Sequence, residues 1–454
     1  MAVAWRGLHA RIPEAQAAVT ERSCSVGTMT AMRDELPAEH LVVDHLPARR
    51  RSLRIAVVTE TYPPEVNGVS LTLARIVEGL RQRNHDIQLV RPRQAVDAAA
   101  AAAARGAADE PASTLPMEQV LTAGMPIPRY PHLRMGLPSG RFLKKLWSVE
   151  RPDIVHIATE GPLGWSALRV ASALQLPVSS DFRTNFHSYS KHYGLGWLHR
   201  PIMAYLRKFH NRTRCTMVPT AALGAELERH GFRNIEVVAR GVDLAQFDPA
   251  RRSEALRQSW GVGPDDLVVA CVGRLAAEKN LDLLIDSFEA IAANNKSARL
   301  LLVGDGPLRE TLQQRCPGAI FAGQRSGADL AAHYASADVF LFPSLTETFG
   351  NVTIEAMASG LPVVAFDYAA AAELIRPGVE GTLVPPGDRE AFIRAARQLA
   401  AEDQPSRRER GIAARDRALA LDWPHIVAQF EGVLEGVLRG AGQAPLGVGL
   451  VVEG

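Results

Sequence analysis

Glu347 and Glu355 stand eight residues apart in the segment FPSLTETFGNVTIEAMASGLPVVA, Phe342–Ala365. An ionised carboxylate only accepts hydrogen bonds, so hydroxyl groups are its natural small-molecule partners. Between the two acids lie Phe349, Gly350 and Asn351. The glycine lets backbone approach a ligand closely, and Val352–Ser359 reads as a helix closed by Gly360 and Pro362. The start of that helix offers free N–H groups and the positive end of a dipole, which suits a phosphate. An acid beside a phosphate is unfavourable unless it binds hydroxyls. The composite therefore describes a ligand with both phosphates and many hydroxyls, a nucleotide sugar. The competing reading makes Glu347 a solvated loop acid and Glu355 a helix-surface acid, the usual fate of an isolated glutamate.

Other residues bear on the same chemistry. Arg274 and Lys279 lie five apart in VGRLAAEKNL and can converge on two phosphates, the first as a bidentate fork and the second as a point charge. Two solvated surface cations would look the same. Asn67 and Gly68 precede a helix in TYPPEVNGVS, where turn geometry alone could explain the glycine. Gly304 and Gly306 fit a partial dinucleotide fingerprint, but Arg309 replaces its third glycine, which counts against a nicotinamide-dependent oxidoreductase. His187 follows a strand end in DFRTNFHSYSKHYG, and a lone histidine there has an ordinary structural reading too.

The elements that would hold these residues form an α/β pattern. LRIAVVTE, DIQLVRP, DIVHIATE and CTMVPT read as strands alternating with amphipathic helices, and the theme restarts at LVVACVGR, ARLLLVGDG, AIFAGQ, VFLF and PVVAF. A chain of 454 residues predicts two or three domains. The divisions expected are a disordered extension over 1–51, two Rossmann-like domains over 52–238 and 239–420 with their linker in the turn-rich stretch Ile235–Pro249, a helix over 421–440 and a frayed tail over 441–454. Met29 and Met32 offer alternative starts, and an Arg-rich targeting peptide is the rival for the extension. The Ala98–Ala104 run reads as a loop insertion and Pro126–Pro138 as an extended, irregular piece.

Composition narrows the class. Net charge is +2, with 47% hydrophobic and 22% charged residues, so no global field calls for nucleic acid. The four cysteines are scattered without a C-x-x-C pair, so neither a disulfide framework nor a zinc site follows. No apolar run reaches 18 residues. The expectation is a cytoplasmic protein whose membrane contact, if any, is peripheral, at the inner face of the cytoplasmic membrane. Two basic amphipathic segments, Arg141–Trp147 and Arg200–Arg214, could supply it, with Phe142, Leu143, Leu146 and Trp147 read as one apolar side of the first.

ETFGNVTIEAMASG resembles the E-x7-E signature of retaining GT-B glycosyltransferases of family 4. VGRLAAEKNL, VGDGPL and GTLVPPGD match family motifs in order, and the likeness spans about residues 54–438. It implies two facing Rossmann-like domains, the first for the acceptor and the second for the nucleotide-sugar donor, with the catalytic cleft between them and a last helix crossing back to the first domain. It implies that Glu347 binds hydroxyls of the donor sugar, Glu355 the ribose, and His187 of the FHS loop the sugar. The loop carrying Asn67 and Gly68 would lie against the diphosphate or the acceptor. No D-x-D motif is present, so no metal or other cofactor is expected, and Arg274, Lys279 and the Gly350–Asn351 helix start would carry the leaving group. FRTNFHSYSKHYGLGWLHRP is most similar to bacterial members using GDP-mannose with lipid or glycan acceptors. UDP-dependent glucosyl- or sulfoquinovosyl-type transfer, and a non-catalytic nucleotide-sugar-binding protein, stay open.

Overall fold

In the computed structural model the described residues are 52–65, 67–94, 97, 117–127, 130–183 and 199–442. Of two compact units, Met1–Arg50 and Arg51–Gly454, the second carries all of them. The expected extension, the Ala98–Ala104 run and residues 443–454 of the tail lie outside the described residues.

The strands run, in chain order, β1 (Arg54–Val58), β2 (Asp86–Pro92), β3 (Glu118–Thr122), β4 (Gly124–Ile127), β5 (Tyr130–Gly136), β6 (Ile154–Ile157), β7 (Val178–Asp181), β8 (Cys215–Val218) and β9 (Ile235–Val237). They continue with β10 (Val268–Val272), β11 (Arg299–Val303), β12 (Ile320–Gly323), β13 (Val339–Phe342), β14 (Val363–Phe366) and β15 (Gly381–Val384). Two sheets follow, ordered β3-β2-β1-β6-β7-β8-β9 and β12-β11-β10-β13-β14-β15. Every pairing within them is parallel.

The near-continuous apolar strands follow from helices covering both faces of each sheet. Ile55 and Val57 of β1 pack into one core cluster while Ala56 and Val58 pack into another. Val268, Ala270 and Val272 of β10 likewise face one core and Val269 and Cys271 the opposite one.

Each sheet order reverses beside its first strand, between β1 and β6 and between β10 and β13. Ligands of open α/β sheets bind outside the strand carboxyl ends at such switch points. The loops leaving β10 and β13 carry Arg274, Lys279 and Glu347, and the loop leaving β1 carries Asn67.

The chain crosses between the sheets twice, and the crossings lie side by side. Val242 pairs with Asp422 and its N–H donates to the Leu421 carbonyl at 2.8 Å. A Cβ on Gly241 would meet the Trp423 ring at 2.6 Å, so the crossings touch only because Gly241 lacks one. The last helix, Trp423–Gly442, returns to the first sheet's layer and buries Ile426, Val427, Phe430 and Leu434 with Ile55, Leu73 and Ile76. Each such fully buried side chain stabilises by about 1.5–3 kcal/mol. Glu431 on this helix accepts from Arg83 and, at 2.8 Å, from His85 Nε2.

Two expectations need correction. Among the described residues of Pro126–Pro138, 126–127 and 130–136 are not irregular but belong to an antiparallel pair of β4 and β5, with Gly124 opposite Gly136 and Met125 opposite Met135. Proline is tolerated there because both strands of a two-stranded ribbon are edges. In the helix Gly140–Val149, Leu143 and Trp147 are fully buried but Phe142 is 49% exposed. At 100° per residue Phe142 lies about 140° around the helix from Trp147.

Candidate active site

The loop after β10 is shaped by glycines. A Cβ on Gly304 would lie 2.0 Å from the Gly273 carbonyl oxygen, and one on Gly306 would lie 2.4 Å from that of Leu275. Leu275 N–H donates to the Asp305 carbonyl and Leu308 N–H to the Leu275 carbonyl, both at 2.9 Å. Gly304 and Gly306 thus let two loops abut, which accounts for both positions by backbone packing. The supported loop presents Arg274 and Lys279.

The two cations reach different partners. Lys279 Nζ donates to Glu347 Oε1, which also accepts from Ser344 Oγ at 2.7 Å, and it lies 5.4 Å from the Phe342 ring centroid. Arg274 is half-exposed, with Nη1 3.9 Å from Glu278 Oε1. Tyr368 Oη donates at 2.6 Å to the Glu347 carbonyl, fixing the loop that carries the acid. Glu347 is therefore a positioned acid rather than a solvated one, with 15% of its side chain exposed.

Gly350 takes a left-handed conformation at φ 95° and opens the helix Asn351–Ala358 with no side-chain cap on its first N–H groups. Thr353 N–H donates to the Gly350 carbonyl at 3.0 Å, which leaves the N–H groups of Asn351 and Val352, with the dipole, as an anion site. Phe349 is 2% exposed and belongs to the core beneath. Glu355 accepts from Tyr334 Oη at 2.9 Å. Burial pushes its carboxyl up to about 7, against the lowering effect of that hydroxyl.

Across from this helix, Asn67 caps the helix Gly68–Gln82: its Oδ1 accepts from Val69 N–H at 3.1 Å and Ser70 N–H at 2.9 Å. Its Nδ2 donates to Thr61 Oγ1 at 2.7 Å, so the side chain is committed to the fold. The Cβ position of Gly68 lies 3.7 Å from Arg240 Nη1 and 3.9 Å from Asn351 Nδ2. Gly68 and Asn351, from the two halves of the chain, thus face one another over Arg240. His187 and its neighbours Asn185, Ser188, Tyr189 and Ser190 lie outside the described residues.

Three features of the site were not legible beforehand. Arg240, expected only as part of a linker, is 6% exposed at this junction. Behind it Arg183 pairs with Asp181, which also lies 3.2 Å from His156 Nε2. Burial raises the Asp181 carboxyl, but Arg183 and His156 outweigh it and hold it at about 2. In the loop after β1, Glu60 Oε1 accepts from Leu163 N–H at 3.0 Å, and burial pushes that carboxyl up to about 7. The one visible signal for Arg240 was a cation inside the apolar stretch VVARGV. Among the described residues no group of three His, Cys, Asp or Glu side chains could hold a metal ion.

A family model described as Glycosyltransferase Family 4 matches residues 66–246, and one described as Glycosyl transferases group 1 matches residues 266–402. A GDP-mannose-dependent alpha-mannosyltransferase of Mycolicibacterium smegmatis is 34% identical over 395 residues, covering 85% of this chain and 98% of that protein. The sulfoquinovosyl transferase of Arabidopsis thaliana is 35% identical over 282 residues, covering 60% of this chain and 54% of that one. Among solved structures, Anabaena HepE in complex with UDP and glucose superposes with a TM-score of 0.64 at 20% identity, covering 85% of this chain and 100% of that one. Sucrose-phosphate synthase from Thermosynechococcus elongatus gives 0.66 at 19% identity, covering 86% and 100%. These likenesses show the GT-B fold. The chain belongs to glycosyltransferase family 4, and it is a glycosyltransferase.

Proposed function

We propose that the enzyme transfers mannose from GDP-mannose, with retention of configuration and without a metal ion, to a lipid or glycan acceptor. The observation that carries this is the Glu347–Lys279 pair set beside the uncapped start of Asn351–Ala358, with Glu355 five residues into the same helix. Glu347, positioned by Ser344 and Lys279, accepts hydroxyls of the sugar. Glu355 accepts the ribose hydroxyls. Arg274, Lys279 and the helix start meet the charge that develops on the departing diphosphate, the part a metal would otherwise play. His187 contacts the sugar. GDP-mannose is favoured over a UDP donor because the relatives covered nearly end to end are named for it. Thermal-shift titration with GDP, UDP and their sugars tests the donor, since a ligand that binds only the folded state raises Tm. A shift with UDP-sugars alone would transfer the proposal to that class. Donor binding without any turnover would leave a non-catalytic binder.

For the acceptor side we infer peripheral contact with an anionic lipid surface at the cytoplasmic face of a membrane. The support is a groove of 820 Å³ beside the helices Gly140–Val149 and Pro162–Ala173. Exposed Phe142 stands in it among Arg141, Lys144 and Arg169, with no acid in the lining. The second basic segment supports this less: Arg207 donates to the His230 carbonyl and Arg212 lies over the Trp165 ring. No helix among the described residues is long and apolar enough to cross a membrane.

A further inference from the structure

Arg240 sits where the first crossing of the chain passes between the sheets. It is 6% exposed, and its Nε is buried with no hydrogen-bond partner among the described residues. Its one hydrogen bond there, from Nη1 to Asn351 Oδ1, is long at 3.4 Å. The guanidinium lies 5.9 Å from the Phe349 ring centroid, a weak compensation for a buried charge. No carboxylate among the described residues is within ion-pair distance of it. A buried cation is ordinarily paired and hydrogen-bonded, because desolvation is otherwise uncompensated.

The surroundings sharpen the anomaly. Arg240 Nη1 is 3.7 Å from the Cβ position of Gly68, the first residue of the helix Gly68–Gln82. It also bonds Asn351, the first residue of the helix Asn351–Ala358. The Asn67-capped start of one helix and the start of the other, which has no side-chain cap, therefore converge on a buried guanidinium. Burial, joined by the like charge of Arg183, lowers the Arg240 guanidinium to about 9, so it remains protonated at neutral pH. Asp181 and Glu347 act on Arg240 in the opposite sense, but both are engaged, with Arg183 and Lys279 respectively. The polarity of the spot calls for an anion of more than one charge.

We propose that Arg240 is a third cation on the donor's diphosphate, contributed by the linker rather than by the donor-side loops. It rests on the nucleotide-sugar reading above and extends it. Because Arg240 bonds the start of one helix and abuts the start of the other, the diphosphate it holds is shared by both halves of the chain. The same anion is thereby pinned beside Gly68, whose Cβ position lies 3.7 Å from Arg240 Nη1. Arginine suits the task through its fixed fork of donors, of which Nε stands ready.

The test compares wild type with Arg240→Gln and Arg240→Lys by calorimetric titration with GDP and with guanosine, and in parallel with UDP and uridine. Arg240→Gln should weaken the diphosphate at least tenfold and leave the nucleoside within about twofold, while Arg240→Lys restores part of the loss. Without nucleotide, the Tm of Arg240→Gln should equal or exceed that of wild type, because an uncompensated buried charge has been removed. Unchanged GDP and UDP affinity overturns the proposal, including the case in which only the KM for acceptor rises. An equal loss of diphosphate and nucleoside with a lowered Tm also overturns it, since that marks a structural role. Wild type binding neither diphosphate instead removes the nucleotide-sugar reading, and this inference with it.

Discussion

Lys279 and Glu347 form an ion pair across the switch point of the second sheet, joining the loop after β10 to the loop after β13. Both side chains are mostly buried, at 19% and 15% exposure, so the pair is screened less than a surface one. It sets the cation proposed for the leaving group in direct contact with the acid proposed for the sugar.

The first expectation concerns these cations. Lys279→Ala and Arg274→Ala should each lower kcat by about 10²-fold or more, with fold retained by circular dichroism. The Lys279 change also strands Glu347. Lys279→Ala combined with Glu347→Gln should therefore cost less than the product of the single effects, because contacting residues do not add. Near-normal kinetics for both cation variants would remove them from the diphosphate site.

A second expectation separates sugar from nucleotide. Glu347→Gln and His187→Ala should impair transfer far more than they weaken GDP, which calorimetry reads directly. Parallel collapse of GDP affinity would show that these groups serve the nucleotide instead.

Glu355 makes the site pH-dependent. Its carboxyl is raised by burial to about 7, so the folded chain keeps a proton that the unfolded chain has released. Stability contributed at this position therefore falls as pH rises from the ordinary value of 4.5 toward about 7, and Glu60, raised to about 7 in the same way, adds in the same direction. The proposed ribose contact needs the ionised form as acceptor, so nucleotide affinity should climb about tenfold between about pH 6 and pH 8. Glu355→Gln should flatten that profile. An unchanged slope in the variant would place the titration elsewhere.

Much of this architecture is legible in the residues, and the parts that are not share a cause. β1, β10 and β13 are apolar runs closed by turn residues, and a run buried on both faces announces itself. The Glu347–Glu355 spacing likewise survives in the structure as a loop acid and a helix acid flanking Gly350. β3, whose EQVLT has only partial alternation, and the Pro-bearing pair of β4 and β5 carry weak local signals and are held by pairing instead. Gly304 and Gly306 fit a phosphate fingerprint in sequence, yet their need for glycine comes from a neighbouring loop. Arg240 lies 111 residues from Asn351, and only the juxtaposition of the two sheets reveals what it faces.

The groove beside Gly140–Val149 yields a fourth expectation. Arg141, Lys144, Lys145 and Arg169 should each add about 1 kcal/mol at an anionic surface, weakening as salt shortens the Debye length. Sedimentation with anionic vesicles should therefore show binding at low salt that fades at high salt and is reduced by Arg141→Glu with Lys144→Glu. Equal, negligible binding to anionic and neutral vesicles would leave this helix structural and favour a soluble acceptor.

The most direct test is turnover of the donor itself. Purified protein is incubated with GDP-mannose in the presence of EDTA, with a lipid extract as acceptor, and both released GDP and mannosylated product are followed by mass spectrometry. The account predicts stoichiometric GDP and α-linked product from wild type, undiminished by the chelator and lost in Lys279→Ala. Activity abolished by EDTA and restored by Mn²⁺ or Mg²⁺, or GDP-mannose bound but never consumed, would contradict it.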